Sequence, residues 1–175
     1  ALFRSRVYPE ALVLEYGADH PGDIAALVAI ARPQIAVLTA VGAAHTEFFR
    51  SVDGVAEEKW QLIVALPPDG IAVLNADDAR VMALRPRTKC RVVTYGSADG
   101  ADVRAGEMVV AYQPLHLSPG GGGGIVVPSG TITTIAIGSV TASLHLPGVL
   151  GIGHSRAALA GAAVGSALGM PRTDI

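Results

Sequence analysis

Four short apolar runs, at residues 11–15, 35–39, 71–75 and 91–95, constrain this chain most, because stretches of helical periodicity separate them at 21–31, 52–66 and 77–84. Strands joined by helix-length segments pair in parallel, since each crossover returns the chain to the same end of the sheet. The expected fold class is therefore α/β, a mostly parallel sheet flanked by helices. In the second helical stretch Val52, Val55, Ala56, Trp60, Ile63 and Val64 share one face at helical spacing. Pro21 suits a first helical position, Ser51 can cap the second helix and Asp77 the third. Pro33 and the pair Pro67-Pro68 stop the first two helices.

Beyond residue 103 the pattern changes to strands without helices, at 108–117, 125–127, 131–137 and 140–146. Turns at 118–124, 128–130 and 138–139 join them, which predicts an added antiparallel β layer, a meander packed beside the parallel sheet. A closing helix over 154–168, rich in Ala, can approach a sheet closely, and Gly169-Met170-Pro171 ends it. The expectation is a single domain, 1–175, with a βαβ part at 1–100, an antiparallel part at 101–147 and a closing part at 148–175.

Composition removes several classes of function. Half the residues are hydrophobic, which excludes disorder. Thirteen Lys and Arg stand against 15 Asp and Glu without blocks of either sign, so nothing marks a nucleic-acid surface. Gly, Pro or charge interrupts every apolar stretch before the roughly 20 residues a spanning helix needs, so no membrane insertion is expected. The single cysteine, Cys90, cannot form an internal disulfide and reads as a part-buried thiol between Lys89 and Arg91.

The residues that could carry chemistry follow the apolar runs. Glu15 closes the first, before the turn Gly17-Ala18-Asp19-His20, and His45 follows the second. Both are expected at carboxyl ends of parallel strands, the edge where open α/β sheets bind ligands. Lys59 lies on the next helix beside Glu57 and Glu58; by itself it reads as a solvated lysine. Asn75, Asp77 and Asp78 follow the third strand, where an Asx turn and a ligand contact are both open. Gly120 to Gly124 precedes a strand and reads as a flexible hairpin tip. No G-x-x-x-x-G-K-[ST] occurs in the 175 residues.

Three segments in order, 14–24 (LEYGADHPGDI), 44–51 (AHTEFFRS) with 54–59 (GVAEEK), and 74–78 (LNADD), resemble successive signatures of the central ATPase domain of the Mur ligases. The likeness is nearest to the branch that joins D-alanyl-D-alanine to UDP-MurNAc-tripeptide. Thirty positions separate Glu15 from His45 and 14 separate His45 from Lys59, as in the family. The signatures cover roughly residues 11–78, and beyond 91 the likeness is architectural. It implies a P-loop NTPase-like domain that uses ATP and Mg2+, with Glu15 and His45 as metal ligands and His45 near the γ-phosphate. It implies that Lys59 is carbamylated, that Asn75 and Asp77 contact adenine and ribose, and that His154 approaches the nucleotide. Two departures stand out. Trp60-Gln61 replaces the family's Gly-Glu after the lysine, and Ala158 stands where a second Asn of the closing helix would fall.

The resemblance further implies a cytoplasmic ATP-dependent amide ligase of peptidoglycan precursor synthesis, working through an acyl phosphate on UDP-MurNAc-peptide. The family's phosphate loop precedes the Glu15 strand, and its N- and C-terminal domains flank this one. A truncated central domain that is inactive on its own is the expectation. Two alternatives are a non-catalytic Mur-like binding or scaffold module, and another amide ligase such as a folylpolyglutamate or cyanophycin synthetase, whose signatures around the histidine differ.

Overall fold

The computed structural model describes residues 10–43, 46–116, 124–171 and 175. Six strands form one mixed sheet in the order β1 to β6: β1 (Ile35–Leu38), β2 (Ile71–Asn75), β3 (Arg91–Gly96), β4 (Val103–His116), β5 (Gly124–Ile137) and β6 (Val140–Pro147). The first four run parallel, and β4 to β6 are antiparallel. The helices are α1 (Asp23–Ile30), α2 (Thr46–Phe49), α3 (Val52–Val64), α4 (Ala79–Leu84) and α5 (Ile152–Ala167).

Strand periodicity sorts the core into two layers. Ala72 and Leu74 of β2 point to the face covered by Val55, Ala56, Trp60 and Ile63 of α3 and Val81 of α4. Val73, between them, points to the opposite face with Val93, Tyr95, Val103 and the small-residue side of α5, Leu159, Ala160 and Ala163. Trp60 is 1% exposed and Val73 0%. Burying side chains of this size contributes roughly 1.5–3 kcal/mol each, which makes the α3 stripe the main anchor of its layer.

Several expectations are corrected. Residues 11–15 form no strand; Val13 is 94% exposed, and β1 is the edge of the sheet. A strand needs a ladder partner, and among the described residues nothing pairs with the outer edge of β1. Pro21 lies outside α1, whose cap is Gly22 in the left-handed region at φ 97°. Asp78, not Asp77, caps α4, accepting the Arg80 and Val81 amides. Residues 128–130 are not a turn but the middle of β5. Pro128 is tolerated there because the register shifts at Ala111/Tyr112, opposite it, and β6 pairs only from Gly130 onward. The antiparallel strands lie beside the parallel ones as expected, within one continuous sheet joined through Tyr95↔Val103 and Gly96↔Arg104. The short α2 and a 3-10 turn at Arg85–Arg87 carry no clear sequence signal. His45, Leu117 and residues 118–123 lie outside the described residues.

Candidate functional site

The carboxyl ends of β1, β2 and β3 form an edge knit by side chains of the β2 exit. Asn75, 5% exposed, donates from Nδ2 to the Thr39 carbonyl at 2.6 Å and accepts the Asp77 amide at 3.0 Å through Oδ1. That is the Asx turn. Asp77 Oδ1 accepts the Ser97 and Ala98 amides at 2.7 and 2.9 Å, tying the β3 exit to the β2 exit. The grip is close enough to require glycine at position 96, where φ is 147° and a Cβ would lie 2.6 Å from Asp77 Oδ1. The other oxygen of Asp77 lies 4.0 Å from Arg156 Nη2 on α5. Lys59 reaches the same edge from α3, donating from Nζ to the Ala40 carbonyl at 3.2 Å.

This edge therefore gathers Lys59, Asn75 and Asp77, three of the candidates singled out from the sequence, and adds Arg156, which sequence reasoning passed over. Burial pushes the Tyr95 phenol behind it up to about 12. His154 is exposed in the first turn of α5 and makes no hydrogen bond or ion pair to the other candidates among the described residues. The position of His45 relative to Glu15 lies outside the described residues.

Glu15 is exposed in an irregular segment, not at a strand end. Beyond it the chain is held locally: Tyr16 Oη donates to the Ala31 carbonyl, and Asp23 Oδ2 accepts the Asp19 and His20 amides at 2.9 and 2.8 Å. Those amides hold the Asp23 carboxyl below the usual carboxylate range. The His20 ring stands 4.2 Å from that of Phe48 on α2. Glu58, 9% exposed on α3, accepts the Gly22 and Ile24 amides, both at 2.9 Å. Its role was invisible in the sequence, since the partners are 36 and 34 positions away; the readable sign was a helix start lacking Ser, Thr, Asp or Asn at its cap.

Glu15 presents an exposed carboxylate, a hard oxygen donor, and Lys59 and Arg156 bring their nitrogens to the strand edge. Among the described residues no group of three or more His, Cys, Asp or Glu stands together as a metal cage. A cavity of about 420 Å³ is lined by Pro21, Phe48, Arg50, Gly54, Glu58 and Gln61 among others. No helix among the described residues is long and apolar enough to cross a membrane.

Comparison with known proteins adds a lineage to this geometry. Residues 2–160 match the Mur ligase middle domain. The UDP-N-acetylmuramoyl-tripeptide–D-alanyl-D-alanine ligase of Mycobacterium tuberculosis is 45% identical over 95 residues, 54% of this chain and 19% of that protein. The same enzyme of Escherichia coli is 46% identical over 66 residues, 38% of this chain and 15% of that protein. The fold superposes on the MurF ligase of Thermotoga maritima in complex with ADP with a TM-score of 0.73 and 28% identity, covering 89% of this chain and 32% of that one. MurF of Acinetobacter baumannii has the same fold, with a TM-score of 0.73 at 23% identity, over 90% of this chain and 31% of that one. The chain thus spans about a fifth of the length of the curated relatives it matches.

Proposed function

Since the chain belongs to the Mur ligase family and matches its middle domain, we propose that it is the nucleotide-binding core of an ATP-dependent amide ligase that extends a peptidoglycan precursor in the cytoplasm. The acceptor in this reading is a UDP-MurNAc-peptide carboxylate and the donor amine is D-alanyl-D-alanine, as the names of the similar ligases suggest. The observation that carries it is the strand edge where Lys59 and Arg156 stand beside Asn75 and Asp77, in a fold shared with a ligase solved with ADP.

In this reading the γ-phosphoryl group of ATP passes to the peptide carboxylate; the amine then attacks the acyl phosphate, phosphate leaves, and the amide forms. Little covalent work falls to the protein, whose contribution is positioning and charge neutralisation. Magnesium would neutralise the phosphates, with Glu15 and His45 as its protein ligands. Lys59 would act as a carbamate, formed when its neutral amine takes up carbon dioxide. Asn75 and Asp77 would shape the adenosine end through the loops they tie, and His154 would approach the nucleotide from α5.

The test is ADP formation by the full-length protein containing this chain, supplied with Mg-ATP, UDP-MurNAc-tripeptide and D-alanyl-D-alanine. Turnover requiring both substrates is expected; no turnover, or turnover indifferent to the peptide, overturns the reading. The 175-residue chain, whose sequence holds no phosphate loop, is expected to bind Mg-ATP weakly in calorimetric titration and to be inactive by itself.

A further inference from the structure

The first amides of a helix need acceptors that the helix does not supply. The α1 helix has none at its own cap, because Gly22 stands there without a side chain. Glu58 fills the place from α3, one oxygen on the Gly22 amide and the other on that of Ile24. A buried carboxylate needs compensation. Here two amides and the positive end of the helix dipole provide it.

The consequence lies in what this carboxylate joins. Upstream, Asp23 Oδ2 binds the amides of Asp19 and His20, so the turn that follows Glu15 is continuous with the α1 start that Glu58 grips. Downstream, the next residue of α3 is Lys59, whose ammonium grips the exit of β1 at Ala40. Two adjacent residues of one helix therefore hold two separate segments, the start of α1 with the turn before it and the exit of β1. We propose that Glu58 is a positioning residue for the nucleotide site, holding the turn after Glu15 at a set separation from Lys59 and the β1 exit. This rests on the ligase reading above.

The full-length protein tests it with Glu58→Gln, Glu58→Asp and Glu58→Ala. Gln keeps one acceptor but turns an NH2 toward the other amide, and Asp is one methylene too short to span both. Without nucleotide, amide exchange at Gly22 and Ile24 should quicken about tenfold in Glu58→Ala. With substrates, KM for Mg-ATP should rise about tenfold in Glu58→Ala, and less in Glu58→Gln, while KM for the amino substrate holds. Ile63→Val, in the core on the same helix, serves as the control for mere destabilisation. It should lower stability and leave the KM for Mg-ATP alone. A wild-type KM in Glu58→Ala, or an equal rise in Ile63→Val, overturns the positioning role. Absence of ligase turnover in the wild-type protein overturns the ligase reading and the positioning role together.

Discussion

Asp78 Oδ2 accepts the Val41 amide at 2.8 Å while its Oδ1 caps α4 on Arg80 and Val81, so one carboxylate joins the loop after β1 to the helix after β2. Asn75, donating to Thr39 at 2.6 Å, makes a second tie between the same loops. Asp78→Ala removes the cap and strands the amide of Val41, a residue only 7% exposed. The expected loss is about 2–3 kcal/mol. Asp78→Asn keeps one acceptor and should lose about 1 kcal/mol. Urea unfolding checks both; an unshifted midpoint in Asp78→Ala would show that these bonds contribute nothing.

Lys59→Ala in the full-length protein should abolish most ligase activity, and short carboxylic acids should restore part of it by occupying the vacated place. The Ala40 carbonyl loses its Nζ partner in the mutant but stands at an exposed contact, so stability should change little. Full activity without any additive would mark Lys59 as an ordinary lysine.

Two glycine substitutions should have opposite signs. In Gly54→Ala the new Cβ would lie 2.3 Å from the Phe49 carbonyl oxygen, forcing α2 and α3 apart. A destabilisation of about 1–3 kcal/mol is expected. Gly161, exposed inside α5, has nothing within 4 Å of its Cβ position. Gly161→Ala should stabilise by about 0.5–1 kcal/mol through helix propensity. Equal thermal shifts for the two would refute the crowding argument.

The Tyr95 phenol, raised by burial to about 12, fixes an alkaline limb of stability. The unfolded chain releases this proton near pH 10 and the folded chain near 12, so the contribution is whole below pH 10 and lost as pH rises through 12. Over that window about 2–3 kcal/mol should disappear. Tyr95→Phe should flatten this limb relative to the wild type in denaturant titrations from pH 9 to 12. Parallel curves for the two proteins would place the proton elsewhere.

Periodicity alone located β1, β2, β3, β6, α3 and the closing helix to within a few residues, because alternation along strands and spacing along helices are local properties. The cap at Ser51 was legible for the same reason: its hydroxyl accepts the amide of Gly54 three residues on. Motif order singled out Glu15, His45 and Lys59 as candidates, and spacing placed Asn75 and Asp77 at the exit of a strand, where β2 ends. What the sequence could not decide were pairings between distant positions. Residues 11–15 read as a strand, yet a strand exists only where another edge accepts its ladder. Pro128 read as a turn until the register shift opposite Tyr112 made room for it in β5. The cap expected of Asp77 falls to Asp78, and Asp77 turns instead to the amides of Ser97 and Ala98. Glu58 looked like one more surface charge beside Lys59. Only the packing of α1 against α3 turned it inward, since a carboxylate is held by whichever amides the fold brings to within 3 Å, however far apart they lie in the chain.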